Sequence, residues 1–294
     1  MSKIFLIGLI NVETNIHIGQ FPINYSPIEF SFFKTKTNPS GVALNLAMAY
    51  KALGDNLLLC SMSSNDLLGE AIKDYLVNNK INYLIDDNLK ETPLSTVLYD
   101  DSGKRKIYCD LKDCQDVVFN KEFDYDFDLA CICNINFARP YLKKFKEKNI
   151  KIACDCHILS NIYDEFNHDF LVYSDILFIS DEMIKDNYYS FMQELIKHYD
   201  KEIIVISRGE KGVLMYVKKD DNIIHLDAYP CINIVNTVGA GDSLFACFNH
   251  YYLKTNDPYL SIKKAMKYAS IKIGYSGGST GFMNADDFEV LFNE

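Results

Sequence analysis

Short runs of apolar residues alternate with longer amphipathic segments along most of this chain, and the alternation limits the folds open to it. The runs have the length of single strands and are continuous, as in strands that are buried on both faces. Between them, apolar residues recur at helical spacing. This pattern predicts a three-layer α/β fold, with a mostly parallel central sheet and helices on both faces. The predicted strands are Lys3–Leu9, Leu57–Met62, Leu129–Cys133, Ile150–Cys154, Ile176–Ile179 and Ile203–Ser207, and the predicted helices are Gly41–Leu53, Leu67–Val77, Pro140–Lys148 and Asp181–Tyr199.

Two segments interrupt this alternation. Residues Thr14–Thr37 have no helical period and are rich in aromatic residues. Residues Thr96–Cys109 have the pattern of a hairpin, with a turn at Asp101-Ser102-Gly103 between two apolar stretches. Both segments are therefore expected to form strands of a small second sheet that projects from the main domain as a lid.

The rest of the chain offers no boundary at which to divide it. A further hairpin, Val213–Tyr216 with Ile223–Leu226, is expected to stay in the main sheet. There is no internal repeat and no stretch with the composition of a linker. We therefore expect residues 1–294 to form one domain, with the lid at about residues 12–37 and 95–113.

Charge and hydropathy exclude several kinds of partner. The formal net charge of the 294 residues is −10, and there is no basic stripe of the kind that nucleic-acid-binding proteins carry. The apolar run Ile4–Ile10 is too short to span a bilayer or to act as a signal peptide. The nine cysteines do not stand at the spacings of a disulfide framework. These features indicate a cytoplasmic protein with no nucleic-acid or membrane partner.

Two pairs of cysteines stand at strand spacing, Cys131 with Cys133 and Cys154 with Cys156. Residues two apart in a strand point to the same face, so both sulfurs of a pair lie on one side. If the two strands are neighbours, the four thiols could bind a metal. The alternative, which we favour, is that cysteine serves here as a small buried apolar residue.

The most informative short motif is Gly239-Ala240-Gly241-Asp242, which precedes a run of residues with helical periodicity. A small-residue turn that enters a helix leaves backbone N–H groups free, and together with the helix dipole they form an anion site. Asp242 then stands in the first helical turn, where it could hold a metal, accept a proton or simply complement the dipole. The motif is neither a Walker loop, since no Gly-Lys-Ser/Thr follows, nor a dinucleotide fingerprint.

Several motifs, in order along the chain, resemble the ribokinase-like (PfkB) family. Residues 236–242, Asn-Thr-Val-Gly-Ala-Gly-Asp, are similar to the family's C-terminal signature Asp-Thr-x-Gly-Ala-Gly-Asp. Residues 40–47, followed by Leu53-Gly54, resemble its Gly-Gly-x-x-x-Asn-x-Ala…Leu-Gly block, and residues 64–69 resemble the Gly-Asp-Asp-x-x-Gly continuation. Residues 8–13 resemble the opening strand that ends in a substrate-binding Asp. The resemblance spans essentially the whole chain, and it implies an ATP-dependent kinase with a ribokinase-like fold.

The resemblance also implies roles for individual residues. Asp242 would take the proton from the substrate hydroxyl, and the N–H groups of Gly239, Ala240 and Gly241 would stabilise the transferring γ-phosphoryl group. The residues implied to bind substrate are Asn11, Glu13, Gly41 and Asn45, and those implied to line the nucleotide are Ser207, Gly209, Gly212 and Thr237. Asn136 is either a further substrate contact or a simple turn residue, because it follows a predicted strand at the edge where open α/β sheets bind ligands.

The chain departs from the family pattern where metal ions are expected. The family's Asn-x-x-Glu magnesium motif would fall at residues 180–183, and neither residue is in register. Asp181 or Glu182 could hold Mg²⁺ through water, or could simply favour a helix start. The resemblance implies a monovalent-cation site at Asn236 and Val238, with the stretch Ser276-Gly277-Gly278 nearby. Because Asn236 replaces an Asp there, potassium is expected to stimulate the enzyme weakly or not at all.

The sequence leaves the acceptor open. We favour a sugar or sugar-like polyol, with a nucleoside of the pseudouridine or purine type as the alternative, because Gly41-Val42-Ala43-x-Asn45 also resembles the nucleoside-kinase branch. An inactive relative that binds a nucleotide or metabolite as a sensor is a further alternative, although the retained Asp242 argues against it. The missing dinucleotide fingerprint disfavours a doubly wound oxidoreductase. Exposed strand edges in the lid suggest a homodimer.

Overall fold

The computed structural model describes residues 2–102, 104–184, 187–231 and 234–293. In chain order its strands are β1 (Lys3–Ile7), β2 (Asn11–His17), β3 (Thr35–Ser40), β4 (Asn56–Met62), β5 (Tyr83–Asp86), β6 (Leu94–Tyr99), β7 (Arg105–Asp110), β8 (Leu129–Ile132), β9 (Lys151–Ile158), β10 (Ile176–Ser180), β11 (Ile203–Ser207), β12 (Val213–Val217) and β13 (Asn222–Leu226). Its α-helices are α1 (Val42–Leu53), α2 (Leu67–Asn78), α3 (Arg139–Glu147), α4 (His168–Tyr173), α5 (Tyr188–His198), α6 (Ala240–Thr255), α7 (Pro258–Lys272) and α8 (Ala285–Asn293). In the described ranges, no helix combines the length and the apolar character needed to cross a membrane.

The larger sheet has the strand order β13-β12-β11-β10-β9-β8-β1-β4-β5. All neighbouring strands from β11 to β5 pair in parallel. β12 and β13 are antiparallel and complete one edge, which confirms that the third predicted hairpin stays in the main sheet. Because the parallel strands end along one edge of the sheet, that edge is where an open α/β sheet is expected to bind its ligands.

Helices cover both faces of the larger sheet. One buried cluster joins the sheet to side chains of α1, α2, α6, α7 and α8. A second cluster, on the other face, joins it to side chains of α3, α4 and α5. Continuous apolar strands need cover on both sides, and this arrangement provides it. The predicted three-layer α/β fold is therefore confirmed.

The two cysteine pairs lie on opposite faces of the sheet. Although β8 and β9 are neighbours, Cys131 and Cys133 belong to the cluster that contains α1, whereas Cys154 and Cys156 belong to the cluster that contains α3. All four thiols are buried, and burial raises the pKa of each. The four sulfurs therefore do not converge on one point, and they pack as small core residues.

The smaller sheet has the strand order β3-β2-β6-β7. β2 pairs antiparallel with β3 and parallel with β6, while β6 and β7 form the predicted hairpin. Gly103, in the predicted turn of that hairpin, lies outside the described residues. The aromatic segment forms strands only at its two ends, and Tyr25, Phe30 and Phe33 between them are exposed. These aromatic side chains therefore do not build a core for the smaller sheet.

The predicted helix Asp181–Tyr199 is wrong in its first part. A single 3₁₀ turn, Asp181–Met183, follows β10, and α5 begins only later. The side chain of Asn187 caps α5 by accepting a hydrogen bond from the N–H of Ser190 at 2.9 Å. Residues 185–186 lie outside the described ranges. The acidic pair that predicted a helix start instead opens a tight turn. Four further elements, β5, α4, α7 and α8, are not among those that the sequence patterns predicted.

Candidate active site

The turn before α6 presents free backbone donors. Gly239 adopts φ = +80°, and a Cβ at this position would lie 2.6 Å from the carbonyl oxygen of Gly278, so only glycine fits. The N–H of Ala240 donates to the carbonyl oxygen of Thr237 at 3.2 Å. Across the described ranges, the N–H groups of Gly239 and Gly241 have no hydrogen-bond partner. These two donors, at the positive end of a long helix, suit an anion.

Asp242 is the buried carboxylate of this turn, with 8% of its surface exposed. Its Oδ2 accepts a hydrogen bond from Nδ2 of Asn45, in the first turns of α1, at 2.7 Å. Burial raises the pKa of Asp242 to about 6, although the charge of His157, the Asn45 hydrogen bond and the charge of Lys272 all lower it. A carboxylate with a pKa just below neutral is suited to act as a general base.

His157 and Asp155 are two residues near this carboxylate that the sequence analysis did not assign to the site. They lie at the carboxyl end of β9, where the backbone of His157 adopts φ = +54° and its N–H donates to Oδ1 of Asp155 at 2.8 Å. The imidazole lowers the pKa of Asp242, and the Asp155 carboxylate raises it. Polar residues at the carboxyl end of a predicted parallel strand were the available signal.

The predicted substrate residues lie at the junction of the two sheets. Asn11 begins β2 and pairs with Ser40, the last residue of β3. Gly41 follows at φ = +106°, and its carbonyl oxygen accepts a hydrogen bond from the N–H of Asn45 at 3.0 Å. Because Asn45 in turn contacts Asp242, the structure brings the N-terminal and C-terminal motifs together from opposite ends of the chain.

Two buried amide oxygens in this junction, Oδ1 of Asn11 and Oδ1 of Asn45, have no hydrogen-bond partner among the described residues. The amide nitrogens are fixed, since Asn11 Nδ2 donates to Oγ of Ser95 at 3.1 Å and Asn45 Nδ2 donates to Asp242. A buried acceptor without a partner costs about 1–3 kcal/mol. A ligand hydroxyl that donates to these oxygens would remove that cost.

Glu13 and Asn136, the other predicted substrate residues, already have partners inside the fold. Glu13 lies in β2, half-buried, and its Oε1 accepts a hydrogen bond from Nδ2 of Asn15 at 2.9 Å. Asn136 uses both ends of its amide: Nδ2 donates to the carbonyl oxygen of Gln115 at 3.2 Å, and Oδ1 accepts from Arg139 at 3.1 Å. Each of these hydrogen bonds orients its side chain, and both side chains keep hydrogen-bonding capacity that a substrate could use.

Three of the four residues predicted to line the nucleotide lie at or just after the end of β11, the last parallel strand of the sheet. Ser207 ends that strand, and its Oγ donates to the carbonyl oxygen of Ile179 at 3.2 Å. The N–H of Arg208 then donates to the carbonyl oxygen of Gly212 at 2.9 Å, closing a tight turn that contains Gly209. Thr237, in the turn before α6, is exposed. These residues lie at strand ends and turns, where a ligand can reach the backbone.

The two carboxylates predicted for Mg²⁺ have different surroundings. Asp181 forms an ion pair with Arg208, in which Oδ2 of the aspartate lies 3.5 Å from Nε of the arginine. The guanidinium group of Arg208 also lies over the ring of Tyr188, 3.5 Å from its centroid. Glu182 is exposed. In the part of the chain that the structure describes, no three His, Cys, Asp or Glu side chains converge on a metal site. Mg²⁺ that is bound beside phosphates and water needs only one or two protein carboxylates, and the exposed Glu182 is the more accessible of the two predicted ligands.

The oxygen that the sequence assigned to a monovalent cation already has a partner within the chain. Lys272, the last residue of α7, donates to the carbonyl oxygen of Val238 at 3.1 Å and to that of Gly277 at 2.7 Å. Asn236, the other predicted ligand, accepts a hydrogen bond from the N–H of Val238 at 2.8 Å. No local pattern singles out Lys272 in the sequence, because both acceptors come from other turns.

Phosphoryl transfer requires a place for phosphate charge and an aligned base more than it requires covalent chemistry. Within a single helical turn, the start of α6 offers backbone donors and a buried carboxylate with a raised pKa. On an α/β sheet with ligand-binding strand ends, this arrangement defines the class of small-molecule phosphotransferases.

Sequence comparison identifies the family within that class. The pattern of the pfkB family carbohydrate kinases matches residues 1–285. The chain therefore belongs to the pfkB family of carbohydrate kinases. A ribokinase of Dictyostelium discoideum is 25% identical, in an alignment that covers 97% of this chain and 99% of the relative.

Solved structures agree on the fold. A microbiome-derived acarbose kinase has a TM-score of 0.87 at 18% identity, and the nucleoside kinase of Methanocaldococcus jannaschii, from the ribokinase family, has 0.80 at 20% identity. An E. coli protein described as a ribokinase II, in complex with ATP and Mg²⁺, has 0.80 at 17% identity. Each alignment covers 100% of this chain and 99% of the other. The predicted ribokinase-like fold is confirmed.

Proposed function

We propose that this kinase transfers the γ-phosphoryl group of ATP to a hydroxyl group of a small sugar or sugar-like polyol. The observation that carries the proposal is the position of Asp242, which is hydrogen-bonded to Asn45 at 2.7 Å and lies next to the free donors of the α6 turn. Because the base and the anion site share one turn, the base can act on the acceptor hydroxyl while the anion site binds the phosphoryl group that is transferred to it.

Asp242 is proposed as the base. Asn45 holds Oδ2, so Oδ1 is the oxygen that can accept the proton of the substrate hydroxyl. As that O–H bond breaks, the hydroxyl oxygen bonds to the γ-phosphorus, and the bond from phosphorus to the bridging oxygen breaks to release ADP. With a pKa of about 6, Asp242 is ionised and ready to accept the proton at neutral pH.

The free N–H groups of Gly239 and Gly241 are proposed to stabilise the charge on the transferring group. The N–H of Ala240, the third predicted donor, is engaged with Thr237 and would contribute only if that 3.2 Å bond opened. Ser207, Gly209, Gly212 and Thr237 are proposed to line the nucleotide. Mg²⁺, when bound, would neutralise phosphate charge, and Glu182 together with Asp181 is proposed to hold it through water.

The substrate pocket is proposed to lie where the smaller sheet joins the larger one. Asn11 and Asn45 offer buried oxygens that accept hydrogen bonds from hydroxyls, and Glu13 offers a carboxylate. This set of acceptors matches a polyol, and a ribokinase relative is consistent with it. The smaller sheet would act as a lid that excludes water from the pocket. A homodimer would form through the edge strands of that sheet, β3 and β7.

An ADP-release assay over a panel of sugars and nucleosides tests the proposal. We expect at least one sugar to raise ADP release well above the background without acceptor. Turnover with nucleosides alone would favour the nucleoside kinase that the structural neighbour from M. jannaschii exemplifies. Tight ATP binding with no turnover on any acceptor would favour the sensor and contradict the proposed activity.

A further inference from the structure

We propose that the ammonium group of Lys272 acts as a built-in monovalent cation, which braces the anion-binding turn and makes the kinase independent of potassium. The inference rests on the proposed function, because it assigns Lys272 the part of a positioning residue for that site. It concerns a side chain from the far end of α7 that the motifs of the sequence do not include.

The ammonium group of Lys272 is hydrogen-bonded to both of the peptide segments that pack against each other at the α6 turn. Lys272 Nζ donates to the carbonyl oxygens of Val238 and Gly277, which directly precede Gly239 and Gly278. Gly239 and Gly278 pack so closely that a Cβ on the first would lie 2.6 Å from the carbonyl oxygen of the second. Moving either segment would therefore break a hydrogen bond to the ammonium and change where the free donors point.

The same end of α7 also holds the chain that leads into the turn. The carbonyl oxygen of Ile273 accepts hydrogen bonds from the N–H groups of Val235, at 2.9 Å, and Asn236, at 3.1 Å. Lys272 and Ile273 thus fix the segment on both sides of Thr237. The hydrogen bond within the segment, from the N–H of Val238 to Asn236, adds to this rigidity.

Lys272 is 1% exposed, so its charge is almost completely removed from water. Burial of an ammonium is costly unless it is hydrogen-bonded and balanced by opposite charge. Here two carbonyl oxygens accept its hydrogen bonds. Burial lowers the pKa of Lys272, and the carboxylate of Asp242 opposes that shift by favouring the charged form. A cation buried beside an anion-binding turn strengthens the attraction for a phosphate, because charges interact more strongly away from water.

The carbonyl oxygens that would ligate potassium are the acceptors of Lys272. A metal cation placed at Val238 and Gly277 would have to displace the ammonium or lie against it, and two like charges in contact repel strongly in a buried site. The structure therefore disagrees with the monovalent-cation site that the family resemblance implies. The same contacts explain why the uncharged Asn236 can replace the Asp of the family motif, because no metal cation has to be bound at this turn.

A second buried lysine provides a matched control. Lys201 is also 1% exposed, and its Nζ donates to the carbonyl oxygens of Val172, at 3.0 Å, and Ser174, at 2.5 Å. It lies just before β11, at the end of the sheet where the parallel strands begin, and the α6 turn is at the other end. Replacing either lysine removes a buried ammonium from two carbonyl oxygens, but only Lys272 touches the proposed site.

The first test compares the wild-type enzyme in potassium chloride with the same enzyme in choline chloride at equal ionic strength. If the ammonium already fills the cation's place, kcat should change by less than about twofold, since no donor of the turn is gained or lost. Activation of the wild type by potassium of about tenfold or more would overturn the proposal.

The second test replaces Lys272 by Ala and by Met. In choline chloride both variants should lose about 10–100-fold in kcat, less than the loss of a direct oxyanion donor, because the lysine acts through the turn. Potassium or ammonium should restore much of the activity of Lys272→Ala, which leaves room for a cation, but not that of Lys272→Met. Lys201→Ala should show no cation-dependent activity. Full activity of Lys272→Ala without cations, or a folded variant that no cation restores, would overturn the proposal.

A third readout needs no turnover, so it separates this inference from the proposed function. Thermal unfolding without nucleotide should show that potassium raises the Tm of Lys272→Ala relative to choline, because the ion binds the folded state alone. Neither the wild type nor Lys201→Ala should respond in this way. If Lys272→Ala does not fold, the wild-type comparison decides the matter, and equal Tm values for a folded Lys272→Ala in both salts would overturn the inference.

Discussion

The two sides of the candidate site differ in how firmly the fold holds them. On one side, Asp242, Asn45 and Lys272 are 8%, 5% and 1% exposed, and each is hydrogen-bonded across elements that are far apart in the sequence. On the other side, β3 is mostly exposed and β7 is exposed along its whole length. We infer that the buried side carries the chemistry, with Asn45 also contacting the acceptor, and that the smaller sheet contributes the rest of the acceptor's selection.

This division has a physical basis. Groups that stabilise developing charge work best when they are fixed in advance and shielded from water. Groups that select a substrate and then close over it must be able to move, and edge strands with few buried contacts meet that need. A substitution on one side of the site should therefore alter mainly the function of that side.

The largest effect is expected on the buried side. Asp242→Asn should lower kcat by about 10²–10⁴-fold, the usual contribution of a positioned base, while ATP affinity stays within a few-fold. The matched control is Asp55→Asn, which alters another buried carboxylate, paired with His250 at 2.8 Å. Asp55 precedes β4, at the end of the sheet where the parallel strands begin. Steady-state kinetics and ATP titrations measure both. Near-full activity of Asp242→Asn would remove the proposed base.

The pH dependence of kcat tests the same carboxylate without a change of residue. A base must be ionised, so activity should fall about tenfold per pH unit below a pKa of about 6. Because the charge of Lys272 lowers the pKa of Asp242, the acidic limb of Lys272→Ala should move to higher pH. A rate that stays flat down to pH values well below 6 would show that another group accepts the proton.

On the side of the smaller sheet, Glu13→Gln should raise KM for the acceptor by about tenfold and leave kcat nearly unchanged, because it removes a contact that is present before and during transfer. The control is Glu91→Gln, which removes a carboxylate paired with Lys112 at 2.8 Å. A fall in kcat as large as that of Asp242→Asn would break the proposed division between the two sides.

The smallest effect is on stability. The pKa of Asp242 is raised from 3.8 to about 6 in the folded protein, so its contribution to stability is fully present below pH 3.8 and is lost as the pH rises through about 6. At pH 7 the ionised carboxylate therefore costs up to about 3 kcal/mol. Asp242→Asn should raise the free energy of unfolding by about 1–3 kcal/mol at pH 7, as measured in urea. A large loss of stability would show that the carboxylate is needed for folding.

Much of the fold could be predicted because it follows from local patterns. Continuous apolar runs such as Ile203–Ser207 and the periodic helix α1 indicated their structure without any knowledge of the rest of the chain. Small residues before an amphipathic run marked the α6 turn in the same way. The resemblance to a family then assigned a chemical role to Asp242 that its position alone left open.

The remaining features depend on contacts between distant segments. Lys272 reaches Val238, which lies 34 residues earlier, and nothing in its own helix indicates this. The amide of Asn136 is held by Gln115 and Arg139, so a strand-end position alone could not show whether it faces a ligand. The predicted helix at Asp181 failed because the acidic pair begins a single 3₁₀ turn that does not continue into α5.

Phosphoryl transfer with Asp242 as the base is tested most directly by ³¹P NMR of the reaction of ATP with the best acceptor from the panel. We expect a new phosphomonoester signal that grows in step with ADP for the wild type, and at a rate lower by about 10²–10⁴-fold for Asp242→Asn. ADP accompanied only by inorganic phosphate, or an equal rate of product formation by Asp242→Asn, would contradict it.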